Sequence, residues 1–545
     1  MRIVRIHWAL TPLSLLLSLP VLGVLGSWLA LDAGGVDTLV HQFATVLPDY
    51  ALQSAMLAAA VAVGVAVLGG ATAAAVSLFE FPGRRFFEWA LLLPLAMPAY
   101  VLAYAYTDFL QYPGPLQTTL RELTGARGAL WPDVRSLPGA VALFVLCLYP
   151  YVYLLTRAAL GERAVQMMEA ARLLGAGVGR RVLEVALPLA RPALAAGVAL
   201  ALMETLADYG VGSYFGLSTF STGIYKAWLV MNDRLAAAQL ASVLLALVAL
   251  LLWLERRAQR RLRFTAGRGG AAHAGEARPI RLSGRAAAVA TVVCTLPVLL
   301  GFVLPVAVLV RMLWAEAAYS DFGLPLARFA GWAATSFKLA AVAALAAAAL
   351  ALALGFALRQ RASARPRWDL LGAGARVVSL GYAVPGAVIA VGILLPVGWV
   401  QSRWPGAGLP ALVTGSVVGL VYAYLVRFSA VALQSVEAGY ARLPSSLDDS
   451  ARMLGASRAR LFFELHAPLL RRSTLAAALL VFVDVMKELP ATLVLRPFDS
   501  DTLAVVAYNF ARDERLGEAA LPSLAIVLVG LIPVVMLSRA MRAQE

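Results

Sequence analysis

Long apolar runs constrain this chain more than any other feature of its sequence. About twelve stretches carry 18 or more predominantly apolar residues, the length that a helix needs to cross the hydrocarbon of a bilayer. No water is present there to satisfy backbone N–H and C=O groups, so each stretch must be helical. The sequence therefore predicts an all-α polytopic membrane protein with about 12 transmembrane helices, near residues 9–31, 53–78, 88–109, 138–156, 190–209, 236–254, 287–313, 337–358, 373–397, 409–430, 473–493 and 520–538.

The composition agrees with helices buried in lipid. The chain is 61% hydrophobic and 14% charged, whereas soluble domains are about half apolar and about a quarter charged. Proline removes a backbone donor and crowds the preceding helical turn. Kinks or breaks are therefore expected at the prolines inside the predicted spans, Pro94, Pro98, Pro385 and Pro396.

The distribution of arginine predicts an orientation. If the N-terminus, with Arg2 and Arg5, is cytoplasmic, most arginine-rich stretches fall on that side, at 84–85, 157–191, 255–263, 359–367, 442–472 and 539–542. The first opposite loop, 32–50, contains three Asp and no Lys or Arg, and the main exceptions are Arg121, Arg127 and Arg135. Positive charge concentrates on the cytoplasmic side of membrane proteins, so both termini are predicted to be cytoplasmic. The net charge of +15 follows this pattern, and no nucleic-acid partner is predicted.

The first apolar run follows two arginines, as a secretory signal peptide would. It is longer than the usual apolar core of such a peptide and ends in LALDAGG, without a clear small-x-small cleavage site. We therefore expect it to be retained as the first transmembrane span.

One polar segment occurs twice, and the two copies align without a gap. Residues 169–189 read EAARLLGAGVGRRVLEVALPL and residues 449–469, 280 positions later, read DSARMLGASRARLFFELHAPL. Each copy lies between long apolar runs and is predicted to face the cytoplasm. A loop that is built twice suggests a surface for two identical partners.

The two copies divide the chain into halves of six predicted spans. An even number of spans preserves direction, so the halves are predicted to be parallel repeats about an axis along the membrane normal. Inverted-repeat secondary transporters are disfavoured, because their corresponding loops face opposite sides. The predicted organisation is a six-helix domain at 1–254, a flexible cytoplasmic linker rich in Arg, Gly and Ala at 255–285, and a second six-helix domain at 286–545.

The sequence predicts no catalytic, metal or cofactor site. Its three lysines, Lys226, Lys338 and Lys487, lie outside any GxxxxGK[ST] motif that would hold nucleotide phosphates. The two cysteines and four histidines lack the spacing of metal ligands. Any ATP hydrolysis that drives this protein must therefore come from a separate subunit.

The duplicated loop resembles the EAA motif of type I ABC importer permeases. The first copy has the Glu-Ala-Ala start, the glycine and the downstream proline of the motif, at Glu169, Ala170, Ala171, Gly175 and Pro188. The second copy keeps three of these positions and changes the first two, with Asp449, Ser450, Ala451, Gly455 and Pro468. In that family the short helix that opens the loop docks into a groove on the ATPase. The resemblance implies coupling helices at 169–174 and 449–454, and two copies of a cytoplasmic ABC ATPase subunit.

The residue types of the loop suit such a contact. Ala170 and Ala171 let a helix approach another surface closely, and Glu169 and its counterpart Asp449 put an acid in the first turn, where the helix dipole favours it. A glycine can end the helix in a left-handed turn. The arginines of both copies could pair with the partner or hold the loop at lipid headgroups: Arg172, Arg180, Arg452 and Arg460.

A second resemblance extends over most of both halves. The segments 204–242 and 484–523, within core permease modules at about 51–252 and 334–538, resemble fused ferric-iron ABC permeases. This resemblance implies import of ferric iron across a bacterial inner membrane. The iron would be delivered by a periplasmic or lipid-anchored substrate-binding protein, which would dock on outer loops that include 208–235 and 494–519.

Charged residues lie near the predicted outer end of the fifth span in each half. Carboxylates within membranes are costly and usually face a bundle interior or a water-filled cavity. We predict that these residues line the outer gate of a translocation pathway, where the acids attract a cation and the lysine prevents its trapping: Glu204, Asp208, Asp484, Lys487 and Glu488. The alternative is that the acids cap helices or form internal pairs.

Three other functions remain open at this point. Within the ABC class, the cargo could be thiamine or an organophosphonate. A protein of another class, an ATP-independent secondary transporter, would work without an ATPase partner. A membrane scaffold would transport nothing.

Overall fold

Helices make up nearly all of this protein. The computed structural model describes residues 3–30, 33–161, 163–266, 279–319, 323–362 and 370–542. Up to residue 266 the helices are α1 Ile3–Gly26, α2 Ala33–Ala44, α3 Leu47–Leu78, α4 Arg84–Ala90, α5 Ala99–Leu110, α6 Pro115–Thr124, α7 Leu137–Gly161, α8 Arg163–Leu173, α9 Val178–Arg181, α10 Leu187–Ala207, α11 Gly210–Tyr214, α12 Phe220–Tyr225 and α13 Arg234–Ala266.

The second half repeats this sequence of long and short helices. Its helices are α14 Gly284–Val298, α15 Leu304–Tyr319, α16 Leu326–Ala362, α17 Leu370–Val378, α18 Gly386–Arg403, α19 Leu409–Val413, α20 Val417–Tyr440, α21 Ser446–Met453, α22 Arg458–Arg460, α23 Ala467–Leu469, α24 Arg471–Met486, α25 Pro490–Leu495, α26 Leu503–Arg512 and α27 Leu516–Arg542. The strands in the described part of the chain are β1 Phe79–Glu80 and β2 Ile280–Arg281, which pair in parallel.

The helices confirm the predicted all-α polytopic fold. Among the described residues, nine helices are long and apolar enough to cross a membrane, or ten if one bent pair is counted as a single span. The count is lower than about twelve because two predicted spans fall on shorter apolar helices. The apolar part of the first is Leu15–Leu29, and α24 has 16 residues because it ends at Met486, just before Lys487 and Glu488.

Two predicted spans are broken at prolines, as their sequence indicates. Pro98 precedes α5 with an extended backbone (φ −61°, ψ 142°), and the helical segments on either side of it are bent by 90°. Pro385 precedes α18 in the same way (φ −58°, ψ 142°). A short 3₁₀ turn comes before each break, at Leu93–Ala96, which includes Pro94, and at Gly381–Ala383. Pro396 lies inside α18.

The chain forms two compact units, and each contains segments of both sequence halves. The first unit comprises Met1–Phe43, Gly223–Leu245 and Pro325–Val506. Its core is the bundle of α16, α20 and α24, and α1 packs along α17 and α18. The backbones of α1 and α18 are so close that a Cβ on Gly23 would lie 2.6 Å from the carbonyl oxygen of Gly392. Small residues permit this kind of helix packing in lipid.

The second unit comprises Ala44–Thr222, Ala246–Leu324 and Ala507–Glu545. Its core is the bundle of α3, α7 and α10. Gly69 and Gly197 allow close approach to Val152 of α7, because a Cβ on either glycine would lie 2.6 Å from an atom of Val152. From the second half, α15 and α27 pack on each other and on α5. The boundaries of the predicted six-helix domains remain a prediction.

The predicted linker contains regular structure where it is described. The long helix α13 continues to Ala266. After residues 267–278, which lie outside the described residues, Ile280 pairs with Phe79 and the Leu282 amide donates to the Glu80 carbonyl at 2.9 Å. The end of α3 and the start of α14 are therefore joined through backbone hydrogen bonds.

Candidate functional site

The two copies of the duplicated segment fold alike. In loop 1, residues 163–189, α8 leads through a turn into α9, a π-helical turn at Val182–Ala186 and the start of α10. In loop 2, residues 446–469, α21 leads through a turn into α22, a π-helical turn at Leu461–His466 and α23. Such π turns are frequent at functional sites. The duplication in sequence is therefore also a duplication of local structure.

A glycine ends the first helix of each loop. Gly175 has φ 81° and Gly455 has φ 80°, in the left-handed region where only glycine avoids a steric penalty from Cβ. In loop 1 the Gly175 amide donates to the Arg172 carbonyl at 2.9 Å, and the Ala176 amide donates to the Ala171 carbonyl at 3.0 Å. These are the two bonds of a Schellman helix end. Loop 2 has the matching pairs, both at 3.0 Å: Gly455 with Arg452, and Ala456 with Ala451.

Each loop exposes large apolar side chains at this turn. They occupy matched positions and are almost fully exposed: Leu173 (85%), Leu174 (88%), Met453 (89%) and Leu454 (87%). Polar and small residues of the same helices are also exposed, namely Glu169, Ala170, Asp449 and Ser450, whereas Ala171 and Ala451 are half-buried. Contiguous apolar surface of this kind marks interaction sites.

Ion pairs stabilise the second helix of each loop. Arg180 donates to Glu184 at 2.8 Å and, at the matched position, Arg460 donates to Glu464 at 2.7 Å. The prolines of the motif directly follow the π turns, at the second position of the next helical segment: Pro188 in α10 and Pro468 in α23.

The arginines that precede the glycines, Arg172 and Arg452, are both exposed. Arg452 lies 3.4 Å from Asp449 and donates to the Gln360 side chain at 2.5 Å.

Loop 1 is held to its membrane helices by apolar side chains. Met168 of α8 is buried, and it packs in a cluster with residues from α3, α7, the π turn and α10. We call these residues the loop-1 anchor: Leu78, Leu160, Met168, Ala186 and Ala190.

Loop 2 is held by a polar network instead. Asp448 of α21 is buried and accepts two hydrogen bonds from Arg359 of α16, from Nε at 2.7 Å and from Nη2 at 3.3 Å. His466 Nε2 lies 2.9 Å from Asp448 Oδ1, and His466 Nδ1 lies 3.2 Å from the Tyr440 hydroxyl. We call Arg359, Tyr440, Asp448 and His466 the loop-2 anchor.

The protonation states of the loop-2 anchor follow from its contacts. Burial would raise the pKa of the Asp448 carboxyl, but the hydrogen bond from Arg359 and the proximity of His466 lower it below its usual value. Burial lowers the pKa of His466, although Asp448 opposes that shift. A carboxylate can only accept, so neutral His466 donates from Nε2 to Asp448 and accepts at Nδ1 from Tyr440.

Two of the predicted pathway acids cap short helices. Asp208 Oδ1 accepts from the Val211 amide at 2.8 Å, at the start of α11. Glu488 stands at the matched position of the second half, and its two carboxylate oxygens accept from the Ala491 and Thr492 amides at 2.9 and 3.0 Å, at the start of α25. These hydrogen bonds correspond to the capping alternative.

Glu488 is also half of a buried ion pair that the sequence did not reveal. Arg427 Nη1 lies 3.1 Å from Glu488 Oε1, and their side chains are 10% and 1% exposed. Gly386 makes room for the pair, since a Cβ there would lie 2.8 Å from Glu488 Oε1. Arg427 falls inside a predicted span, and an intramembrane arginine is the signal that could have identified it.

The remaining pathway candidates lie one turn earlier in their helices. Asp484 is half-buried and pairs with Lys487 at 2.9 Å. Glu204, at the matched position of α10, is half-buried, and no hydrogen bond or ion pair of its side chain is found within the described ranges. Contact of these residues with a cargo stays a prediction.

A group of hydroxyl side chains near Asp208 was not predicted. The Ser213 and Tyr508 hydroxyls lie 2.8 Å apart, and the Tyr508 and Tyr209 hydroxyls 3.3 Å apart. The ring of Tyr104 packs edge-on against Tyr214 with 5.0 Å between centroids. In the alignment of the duplicated segment, 280 positions later, leucine replaces Tyr209 and Ser213, at Leu489 and Leu493. These hydroxyls are therefore not duplicated, and a search for repeated motifs does not find them.

The structure places no three metal-ligating side chains together within the residues it describes. His, Cys, Asp and Glu form no group that could hold an ion there. Cys147 and Cys294 are both buried, and they are not joined in a disulfide.

A protein family and several relatives match this chain. The family described as "Binding-protein-dependent transport system inner membrane component" matches it twice, at residues 66–264 and 362–545. The Fe(3+)-transport system permease protein FbpB 2 of Haemophilus influenzae is 24% identical over 490 residues, which cover 89% of this chain and 88% of that protein.

Two further relatives match part of this chain. The PhnU permease of Salmonella choleraesuis, whose name assigns it to 2-aminoethylphosphonate transport, is 28% identical over 213 residues, covering 38% of this chain and 73% of that protein. The molybdenum transport system permease protein ModB of Escherichia coli is 29% identical over 191 residues, covering 33% of this chain and 81% of that protein.

The family matches include both duplicated loops and most of the membrane helices that flank them. They cover more than half of the chain, and the relatives are transport permeases rather than enzymes. Proteins of this family work with an ATPase and a substrate-binding protein. The chain therefore belongs to the binding-protein-dependent transport system inner membrane component family and is a multi-pass ABC importer permease with two fused transmembrane repeats.

Proposed function

We propose that this permease imports ferric iron. The observation that carries the proposal is the extent of the match to the Fe(3+)-transport relative, which spans 89% of this chain. The PhnU and ModB relatives match 38% and 33% of it. The match to the ferric relative thus includes both fused repeats, whereas each of the other two matches is about as long as one repeat.

Loops 1 and 2 are inferred to bind two copies of one ATPase subunit on the cytoplasmic side. Each loop presents a short helix with an exposed apolar pair at its end, Leu173–Leu174 or Met453–Leu454. Because the two turns have the same hydrogen bonds, they suit the same groove on two identical partners. Residues 169–174 and 449–454 would be the coupling helices.

A substrate-binding protein would dock on the opposite side. The loop at 494–519 carries Phe498, whose side chain is fully exposed (100%). The loop at 208–235 exposes Leu229, Val230 and Met231 together with charged residues. An aromatic or aliphatic residue surrounded by polar residues is typical of a docking surface.

Movement of the loops would be transmitted directly to the membrane helices. Residues 178–207 form one continuous helical span that begins in loop 1. A displacement of α9 therefore moves α10 with it, and the turn at Gly175 connects the coupling helix to this span. Closure of an ATPase dimer would shift both loops, and the helical bundles would then expose the pathway to the outside.

The pathway itself would bind the ion weakly. Glu204 and Asp484 occupy matched, half-buried positions, and Lys487 partly neutralises Asp484. Conduction requires binding that is weak enough for release. Selectivity for the cargo would then reside in the substrate-binding protein.

Organophosphonate import is the second candidate, because the PhnU relative is 28% identical over its matched region. Thiamine import is the remaining alternative within the family. The three candidates differ in cargo, so one reconstitution experiment distinguishes them.

The test is uptake into proteoliposomes that contain the permease, the ATPase subunits that purify with it, and its substrate-binding protein. We expect ATP-dependent accumulation of radioactive ferric iron, and none of 2-aminoethylphosphonate, molybdate or thiamine. Uptake without ATP would contradict the ABC mechanism. ATP-dependent uptake of another cargo, without iron uptake, would contradict the iron assignment.

A matched pair of variants tests the ATPase contact separately. The double variant Leu174→Asp and Leu454→Asp puts a charge on each exposed apolar turn and should release the ATPase during purification. The control, Leu123→Asp, changes a leucine that is 77% exposed in α6, far along the chain from either loop. Equal ATPase retention in the two proteins would contradict the proposed docking site.

A further inference from the structure

The two loops share a backbone but are attached to their helices by opposite chemistry. Under the alignment of the duplicated segment, three positions of the loop-1 anchor correspond to three of the loop-2 anchor: Leu160 to Tyr440, Met168 to Asp448, and Ala186 to His466. All three replacements exchange an apolar side chain for a polar one. In loop 2 a fourth polar residue, Arg359 of α16, pairs with Asp448.

Arg359 connects the loop-2 helix to the end of a transmembrane helix. Besides its two bonds to Asp448, it donates to the carbonyl oxygens of Tyr440 at 3.2 Å, Leu443 at 3.0 Å and Pro444 at 2.9 Å. These carbonyls lie at the end of α20 or just after it, where a cation is favoured by the helix dipole. One guanidinium thus joins three elements: α16, the end of α20, and α21.

Such an attachment is directional, unlike the apolar one. A hydrogen-bonded ion pair fixes angles as well as distances, whereas apolar side chains can slide and repack with small energy changes. The cost of breaking the two attachments also differs. Removing one member of a buried ion pair leaves an uncompensated charge, but a volume-conserving change among apolar residues is well tolerated.

We propose that Arg359, Asp448 and His466 are positioning residues for the coupling helix of loop 2, and that this anchor makes loop 2 the more rigid and the pH-sensitive of the two ATPase contacts. The proposal rests on the proposed docking of an ATPase at both loops. It assigns the two contacts of one permease different mechanical properties, although their exposed turns are alike.

The direction of the pH effect follows from the groups that surround His466. These are Asp448 and Arg452 of α21, Arg359 of α16 and Tyr440 of α20. The pKa of His466 and that of Asp448 are both lower than in an unfolded chain. The stability they contribute is therefore present above the unfolded histidine pKa, about 6.5, and is lost as the pH falls towards their folded pKa values. Loop 1 has no titratable side chain among its described anchor residues.

The first experiment measures hydrogen exchange of residues 163–175 and 446–455 in the full complex, as protection factors at pH 7.5 and 5.5. We expect Asp448→Asn to lower protection in loop 2 by at least about tenfold, since it breaks a buried ion pair. The matched control in loop 1, Met168→Leu, should change protection there by less than about threefold, because it conserves volume. Equal effects of the two variants would overturn the proposal.

The second experiment separates positioning from general stability through pH. Lowering the pH from 7.5 to 5.5 should reduce protection of loop 2, and transport per ATP hydrolysed, more than it changes loop 1. His466→Gln keeps an N–H that can donate to Asp448 but does not titrate, so it should abolish the acid-dependent loss. Persistence of that loss in His466→Gln would overturn the proposal.

Failure of the proposed ATPase docking can be distinguished from failure of this proposal. A wild-type permease that retains no ATPase would contradict ATPase docking, while the exchange measurements on the permease alone would still decide whether loop 2 has the stronger, pH-dependent attachment.

Discussion

At the scale of single residues, the glycines of the two loops determine where the exposed apolar side chains point. Gly175 and Gly455 reverse the chain immediately after Leu174 and Leu454. The sequence predicts this turn, because glycine in a left-handed conformation commonly ends a helix. It does not predict the ion pair of Arg427 and Glu488, whose members are 61 residues apart in sequence.

Replacing Gly455 with alanine should destabilise the turn of loop 2. An L-residue in the left-handed region costs about 1–2 kcal/mol, although no atom lies within 4 Å of the new Cβ. The control is Gly179→Ala, which lies inside α9 and also has open space around it. It should not destabilise its loop, because alanine is favoured over glycine inside a helix. Hydrogen exchange of each loop measures both effects, and equal costs would contradict the role assigned to the left-handed angle.

Replacing Arg427 with methionine should strongly destabilise the helices around α25. Loss of one partner leaves Glu488 buried without its ion pair, at a cost of about 3–5 kcal/mol. The control Arg460→Met removes a pair whose side chains are each 64% exposed, and water screens such a pair so well that its loss should change stability little. Thermal unfolding in detergent compares the two. Adding Glu488→Gln to Arg427→Met should recover part of the loss, and no recovery would contradict a dominant charge effect.

At the scale of helices, the structure differs from the sequence-based expectation mainly in where the helices are broken and in which helices pack against each other. Apolar length predicts most spans, and proline predicts the breaks before α5 and α18. Hydropathy contains no information on which helix packs on which, so the pairing of α1 with α17 and α18 could not be predicted. The loop-2 anchor could not be predicted for a similar reason, because Arg359 comes from another helix and is far in sequence from Asp448 and His466.

Enlarging Gly23 should separate α1 from α18. Gly23→Leu would place its Cβ 2.6 Å from the backbone carbonyl oxygen of Gly392, and overpacking of this kind costs about 1–3 kcal/mol. Gly26→Leu, on the same helix, is the control, because no atom lies within 4 Å of its Cβ. Thermal stability in detergent should fall for the first variant only. A similar fall for both would argue against a close contact at Gly23.

At the scale of the whole molecule, the two sequence repeats and the two compact units are different divisions of one chain. The first unit needs α1 from the first half, and the second needs α14, α15 and α27 from the second half. The repeat itself could be predicted from residues 169–189 and 449–469, because these two segments of the sequence align without a gap. The exchange of segments depends on long-range packing and leaves no comparable pattern.

The predicted orientation can be checked by cysteine labelling of intact cells. The native thiols Cys147 and Cys294 are buried, so single exposed cysteines can be introduced on that background. A membrane-impermeant reagent should label Leu123→Cys from outside, and should label Leu173→Cys and Met453→Cys only after the cells are opened. Labelling of either loop variant in intact cells would contradict cytoplasmic loops.

The packing of α1 on α18 has a consequence for how this protein is made. Gly23 is synthesised about 370 residues before Gly392, the residue it packs against. At about 5–20 residues per second, translation of that interval takes roughly 20–70 s. During this interval the glycine face of α1 must be covered by lipid tails or by an insertion factor, until α18 has been synthesised and inserted.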